Sequence, residues 1–278
     1  MLQSINMLKC VENTMSLVKL DKSTIVGKIS TKCSEALQQA LDGNFIHFAS
    51  DTEVEFGLLR PEEATYDEDE DYPILHLLIE NSQGWSKYPK RQESTIASTL
   101  SKAASTSDHL YVVLPVNGSR VAVCTDDDFY TSFDLIEKKF KVKNAKQFEQ
   151  KLLVLLKAVQ HFVHEKEIEE YTADKVLELC RMFDNIMKSF KGSYDFKIFY
   201  QTTTKQNFST WQGIKNLRDT VVESMDPEAN GFEIIKMADL GKYKNREIWF
   251  KNDCYILSKK QFTTIVDSGK LAHLQGIE

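Results

Sequence analysis

Leu110-Tyr111-Val112-Val113-Leu114-Pro115-Val116-Asn117-Gly118-Ser119-Arg120-Val121-Ala122-Val123-Cys124 carries the clearest structural signal in the chain. Two apolar, β-branched runs, 110–115 and 120–124, flank Asn117-Gly118, and both turn residues tolerate positive φ. The pattern predicts a two-residue hairpin and, with it, an antiparallel sheet. Upstream, Asn44-Phe45-Ile46-His47-Phe48-Ala49-Ser50 reads as the first core strand leaving a turn. Before it, Ile5, Leu8, Val11 and Met15, then Leu37, Ala40 and Leu41, recur at three- and four-residue spacings. These predict a helical pair over 4–42, ended by Asp42-Gly43. Between these elements and the hairpin, 73–80 fits a buried helix or a strand, with helix preferred. The chain from Tyr88-Pro89 to Thr99 turns from a proline-fixed loop into a β-branched run, and Ser101 and Ala103 open a short helix.

Downstream, Leu152, Leu155, Leu156, Val159 and Phe162, then Val176, Leu179, Phe183 and Ile186, keep helical spacing and predict two or three helices within 134–191. Past Gly192 the alternation of Asp195-Phe196-Lys197-Ile198-Phe199-Tyr200-Gln201 predicts a strand. A polar loop, a helix around 211–225, a turn at 226–232 and two short strands at 247–251 and 254–258 follow. The expected fold class is α+β, a mixed, mainly antiparallel sheet core with N-terminal helices and a central helical insert. Three regions are expected: 1–133 with the first half of the core, 134–191 as the insert, and 192–278 with the second half.

Lys plus Arg number 35 against 41 Asp plus Glu, a net charge of -6, so no global basic surplus is available to hold a nucleic-acid backbone. The longest apolar-rich stretch, 152–163, is broken by Lys157, Gln160 and His161 and falls short of the roughly 20 residues that span a bilayer. Residues 1–22 scatter Lys9, Glu12, Lys19 and Asp21 among apolar positions, unlike a secretion signal. Cys10, Cys33, Cys124, Cys180 and Cys254 form no C-x-x-C pair, and their odd number cannot close entirely into internal disulfides. A soluble cytoplasmic protein with no metal and no membrane partner is the expectation.

Phosphate-loop, dinucleotide-fold, serine-hydrolase and zincin signatures are missing. His161 and His164 lie three apart without an identifiable third ligand, so a solvent-facing helix turn is expected there. Glu165-Lys166-Glu167 and Glu169-Glu170 read as a charged helix face, Tyr66 to Tyr72 with its five acids as a solvated loop, and Asp126-Asp127-Asp128 as a hairpin-exit or helix-capping run in preference to a divalent-cation site. More chemistry resides in Arg91-Gln92-Glu93-Ser94-Thr95-Ile96-Ala97-Ser98-Thr99. A guanidinium ahead of a strand bearing hydroxyls can take a pyrophosphate bidentately while the hydroxyls order the rest of a pocket. Alternation places Ser94, Ile96 and Ser98 on one face and Thr95, Ala97 and Thr99 on the other. An edge strand with outward polar residues is the alternative.

Trp85-Ser86-Lys87-Tyr88-Pro89-Lys90-Arg91, running on through Ser94 to Thr99, resembles a segment of a family of uncharacterised tailed-bacteriophage proteins. The 111–124 and 128–133 stretches, Asp226-Pro227-Glu228-Ala229-Asn230-Gly231-Phe232 and Arg246-Glu247-Ile248-Trp249-Phe250 look like its further blocks. More distantly, the order of elements resembles ADP-ribosyltransferase folds. The resemblance implies His47 in the first-strand position, Ser98 and Thr99 in the central one and Glu247 as the late-strand catalytic carboxylate, with Arg91 and Ser94 helping to hold NAD as substrate. It implies transfer to a host protein in the host-cell cytoplasm. The rival expectation is a non-catalytic phage accessory or virion protein, using the acidic 66–72 run or the helical middle to bind a host or phage protein.

Overall fold

The computed structural model describes residues 16–50, 52–61, 74–100, 109–163 and 171–268. Of the helical pair expected over 4–42, residues 4–15 lie outside the described residues, as do the acidic run 66–72, the helix opening at Ser101 and the charged segment from His164 to Glu170. Ser16–Lys19 form a strand instead of helix because they pair antiparallel with residues 57–60. In chain order the first elements are β1 (Ser16–Lys19), α1 (Lys22–Lys32), α2 (Ser34–Leu41), β2 (His47–Ser50), β3 (Phe56–Arg60) and α3 (Ile74–Glu80). Next come β4 (Thr95–Ser98), β5 (His109–Pro115), β6 (Val121–Val123), α4 (Asp134–Phe140), α5 (Ala145–Phe162), α6 (Ala173–Met187) and α7 (Phe190–Thr204). Last are α8 (Leu217–Ser224), β7 (Glu233–Ile235), β8 (Glu247–Phe250), β9 (Cys254–Ser258) and α9 (Lys259–Asp267). They divide into two compact units, one of Met1–Tyr66, Tyr88–Asp128 and Phe232–Glu278, the other of Asp67–Lys87 and Phe129–Gly231.

The first unit holds the sheet, of order β1-β3-β9-β5-β2-β4-β8-β6-β7. Every pairing among the described residues is antiparallel. The fold class is α+β as the sequence predicts, but the hairpin at its centre is not formed. β5 pairs with β2 and β9, whereas β6 pairs with β8 and β7. A turn does occur at Asn117-Gly118, with Gly118 at φ +75 and Ser119 N donating to Val116 O at 3.2 Å. Its partners are elsewhere, however. Asn117 N donates to Lys32 O at 2.6 Å, Asn117 Nδ2 donates to Ser34 Oγ at 3.0 Å, and Asn117 Oδ1 accepts from Glu35 N at 3.1 Å. The asparagine thus caps α2 from a distance, at a helix whose own preceding residue, Cys33, makes no side-chain cap bond. Docking on the α1–α2 corner carries the chain across the sheet instead of back alongside β5.

The core packs on both faces of this sheet: Phe48, Val113 and Ile256 turn to one face, and Val112, Leu114 and Leu257 to the other. It joins Ile25, Ile29 and Leu37 of the helices to Ile46, Phe48, Val113, Ile256 and Phe262, and takes Ala97 from β4 and Ile248 and Phe250 from β8. Strand alternation turns Ser98, Glu247 and Trp249 to the face opposite Ala97, Ile248 and Phe250.

The second unit is helical among its described residues. The 73–80 helix is present as α3, but the strand expected at 195–201 is not. That segment is the middle of α7, whose start is capped by Ser189 Oγ accepting from Gly192 N at 3.0 Å. Phe196 and Tyr200, four apart, form its buried face. Phe196 meets Phe162 and Phe183 at centroid distances of 5.2 and 5.8 Å, and Tyr200 meets Phe208 at 5.4 Å. Packing against these rings overrides the β preference of an aromatic-rich run. The helical unit consequently runs on to Gly231, past the 191 boundary that the sequence suggests.

Candidate active site

His47 opens β2, Ser98 closes β4 and Glu247 opens β8. The antiparallel register sets His47 opposite Ser98 and Ser98 opposite Glu247, so three segments distant in sequence form one row across adjacent strands. Residues directly opposed share a face, and two strand spacings separate the ends of the row by about 10 Å. Val112 of β5 continues the row beyond His47 and gives it an apolar side. The row is covered: His47, Ser98 and Glu247 expose 4%, 3% and 2% of their surface.

Beyond Glu247 the chain leaving β6 wraps the strand. Cys124 N donates to Glu247 O at 2.9 Å, and Glu247 N donates to Asp126 O at 3.0 Å. Asp126-Asp127-Asp128 therefore begins beside the row. Burial raises the Asp127 carboxyl above the usual carboxylate range, and the flanking Asp126 and Asp128 charges add to this. No cluster of three His, Cys, Asp or Glu residues suited to a metal ion occurs among the described residues.

Arg91 reaches the row from a short 3-10 turn, Arg91–Glu93, ahead of β4 rather than from the strand. Its Nη2 donates to Glu247 Oε1 at 2.8 Å. One edge of the guanidinium is thus committed to the carboxylate, which differs from the open pyrophosphate ligand expected from the sequence. Aromatic side chains pin the turn: Trp249 Nε1 of β8 donates to Pro89 O at 2.8 Å, and Tyr88 Oη donates to the O of Phe232, just ahead of β7, at 2.8 Å. The tyrosine and proline ahead of Arg91 act as scaffolding that holds the turn beside β8, and hence Arg91 against Glu247.

The remaining expected residues divide by what their hydroxyls do. Ser94 precedes the strand, and its Oγ donates to Lys90 O at 2.6 Å, closing the turn. Thr99 lies just beyond the strand, and its Oγ1 accepts from Arg246 N at 2.9 Å. Ser98 Oγ donates to Arg246 O at 3.3 Å and accepts from Leu100 N at 3.0 Å. All three help to fix the strand ends. Of these, Ser98 sits in the row by register.

His47 differs. Its Nδ1 is buried and has no hydrogen-bond partner among the described residues. Burial depresses the imidazole pKa, and the Lys259 charge at the start of α9 lowers it further, so the ring is held neutral at pH 7. A neutral ring can both donate and accept. Lys259 follows β9 and was not legible as a neighbour, because nothing local in the sequence links it to residue 47. A surface cavity of about 490 Å³ lies in the helical unit, lined by residues including Lys175, Glu178, Arg181 and Arg218, and none of the row residues lines it.

Comparison of the chain with known protein families, curated proteins and solved structures finds no match.

Proposed function

We propose that the chain is an ADP-ribosyltransferase-like protein that cleaves NAD, with the His47–Ser98–Glu247 row as its reacting centre. The observation that carries the reading is the register: an imidazole, a hydroxyl and a carboxylate, drawn from three separate segments, stand side by side on one face of the sheet. The fit of a polar ligand rests on His47 Nδ1, a buried polar atom with capacity to spare.

NAD supplies a glycosidic bond whose cleavage passes through an oxocarbenium-like state. A carboxylate at Glu247 suits it by accepting from a ribose hydroxyl and stabilising developing positive charge, as carboxylates do in glycoside hydrolysis. Neutral His47 can exchange a hydrogen bond with a ribose hydroxyl at the other end of the row. Ser98 lies between them. Arg91 fixes one oxygen of Glu247 and thereby orients the other. Because the row is covered, binding requires its cover to open, which predicts slow turnover unless a protein acceptor helps.

The burial and the Arg91 ion pair also favour a second reading, in which Glu247 is a structural partner and the chain is a non-catalytic binding protein. The two separate on incubation with labelled NAD and host lysate. The enzyme reading predicts nicotinamide release, or label on protein, from the native chain and loss of both in Glu247→Gln and His47→Ala variants that keep native circular dichroism. Absence of both products from the native chain leaves the binding reading.

A further inference from the structure

In the helical unit, α7 packs one side inward through Phe196 and Tyr200 and leaves the other uncovered. Phe190, Tyr194 and Ile198, each four residues on from the last, expose 90%, 59% and 47% of their surface. At about 100° per residue this spacing draws them into a single stripe along the helix. Lys197 borders the stripe on one side and Lys191 on the other, both exposed. Lys188 precedes the helix and Lys205 ends it, against Asp195 as the only acid in 188–205. A chain with a net charge of -6 thus carries a local basic surplus, and it does so where the most exposed aromatic ring among the described residues lies.

We infer that the outer face of α7 is a docking surface for an anionic lipid bilayer. Charge complementarity selects the occupant. An apolar stripe with aromatic residues and flanking lysines is the pattern of a helix lying in the headgroup plane, where the lysine stems reach outward to lipid phosphates. Three such side chains offer on the order of 300 Å² of apolar surface, estimated from the area that single aromatic residues bury. This is less than one partner commonly contributes to a stable protein interface, about 800 Å². The same area serves a reversible contact with a membrane surface, to which each lysine adds attraction for anionic headgroups.

Flotation of the full chain with vesicles tests the inference. Vesicles of phosphatidylcholine with phosphatidylserine should carry the chain upward, and pure phosphatidylcholine vesicles should not. The Phe190→Ser/Tyr194→Ser and Lys191→Glu/Lys197→Glu variants, whose altered side chains are solvent-exposed and whose thermal midpoints should match the native chain, should each lose affinity by about tenfold or more. Added salt should weaken binding of the native chain. Failure of the native chain to float, or unchanged flotation of either variant, overturns the inference. So does sedimentation showing a dimer that the Phe190→Ser/Tyr194→Ser variant dissolves, which would assign the stripe to a second copy. Lipid-free binding of polyglutamate with the same sensitivity would assign it to an acidic protein instead.

Discussion

Arg91 and Glu247 are joined at 2.8 Å with both side chains largely withdrawn from water. Removing one member of such a pair leaves the other as a buried charge without its counter-ion, which costs about 3–5 kcal/mol. Arg91→Ala should therefore lower unfolding stability by about that amount in urea titration. Arg91→Met combined with Glu247→Met should recover most of the loss, since apolar residues of similar volume often replace a buried pair without penalty. A loss below about 1 kcal/mol in the single variant would show that water reaches the pair, as it does in exposed ion pairs. Arg91, Ser98 and Glu247 were each visible as chemistry-bearing side chains. Their mutual arrangement was not, because it depends on β4 and β8 pairing across about 150 intervening positions. The Arg91 contact further depends on Trp249 and Tyr88 pinning the loop before it.

At the scale of elements, the errors share one cause: a local preference outweighed by distant packing. Asn117-Gly118 has hairpin chemistry, yet the asparagine amide and backbone bind the α1–α2 corner, and the two runs it separates go to different neighbours. The 195–201 run alternates, yet Phe196 and Tyr200 also satisfy a four-residue helical spacing, and the rings of Phe162, Phe183 and Phe208 select that reading. Strands at 247–251 and 254–258 were legible because both strands are short β-prone runs separated by a turn, and they appear as β8 and β9. Gly192 shows the same contest at the start of α7. In a helix, alanine normally improves on glycine by about 0.5–1 kcal/mol. Here a Cβ would stand 2.6 Å from the Ile186 carbonyl oxygen and 2.7 Å from Ser189 Oγ, the cap itself. The backbone contact cannot yield without moving the helix start, so Gly192→Ala should destabilise by about 1–3 kcal/mol. A rise in the thermal midpoint would contradict this close approach.

For the whole molecule, stability should depend on pH through His47. Its pKa is depressed below the ordinary 6.5 by burial and by Lys259, so between the two values the unfolded chain binds a proton that the folded chain does not. Stability from this group is therefore complete above about pH 6.5 and declines as pH falls below it toward the depressed folded value. A His47→Gln variant should show a flatter profile in urea midpoints over that window. Equal slopes in the two proteins would place the pH dependence elsewhere. At this scale the α+β class was legible from the pattern of runs, whereas the antiparallel sheet was expected from a hairpin between β5 and β6 that does not form. The inclusion of 67–87 and 192–231 in the helical unit was not legible, because it depends on packing between segments distant in sequence.

Release of nicotinamide from NAD, followed in parallel for the native chain and for Glu247→Gln, tests most directly whether the row is a reacting centre. The account predicts release by the native protein and a drop of at least about 100-fold in the variant, the scale expected when a group stabilising transition-state charge is removed. Equal rates in the two proteins, or none from either with host lysate present, would contradict it.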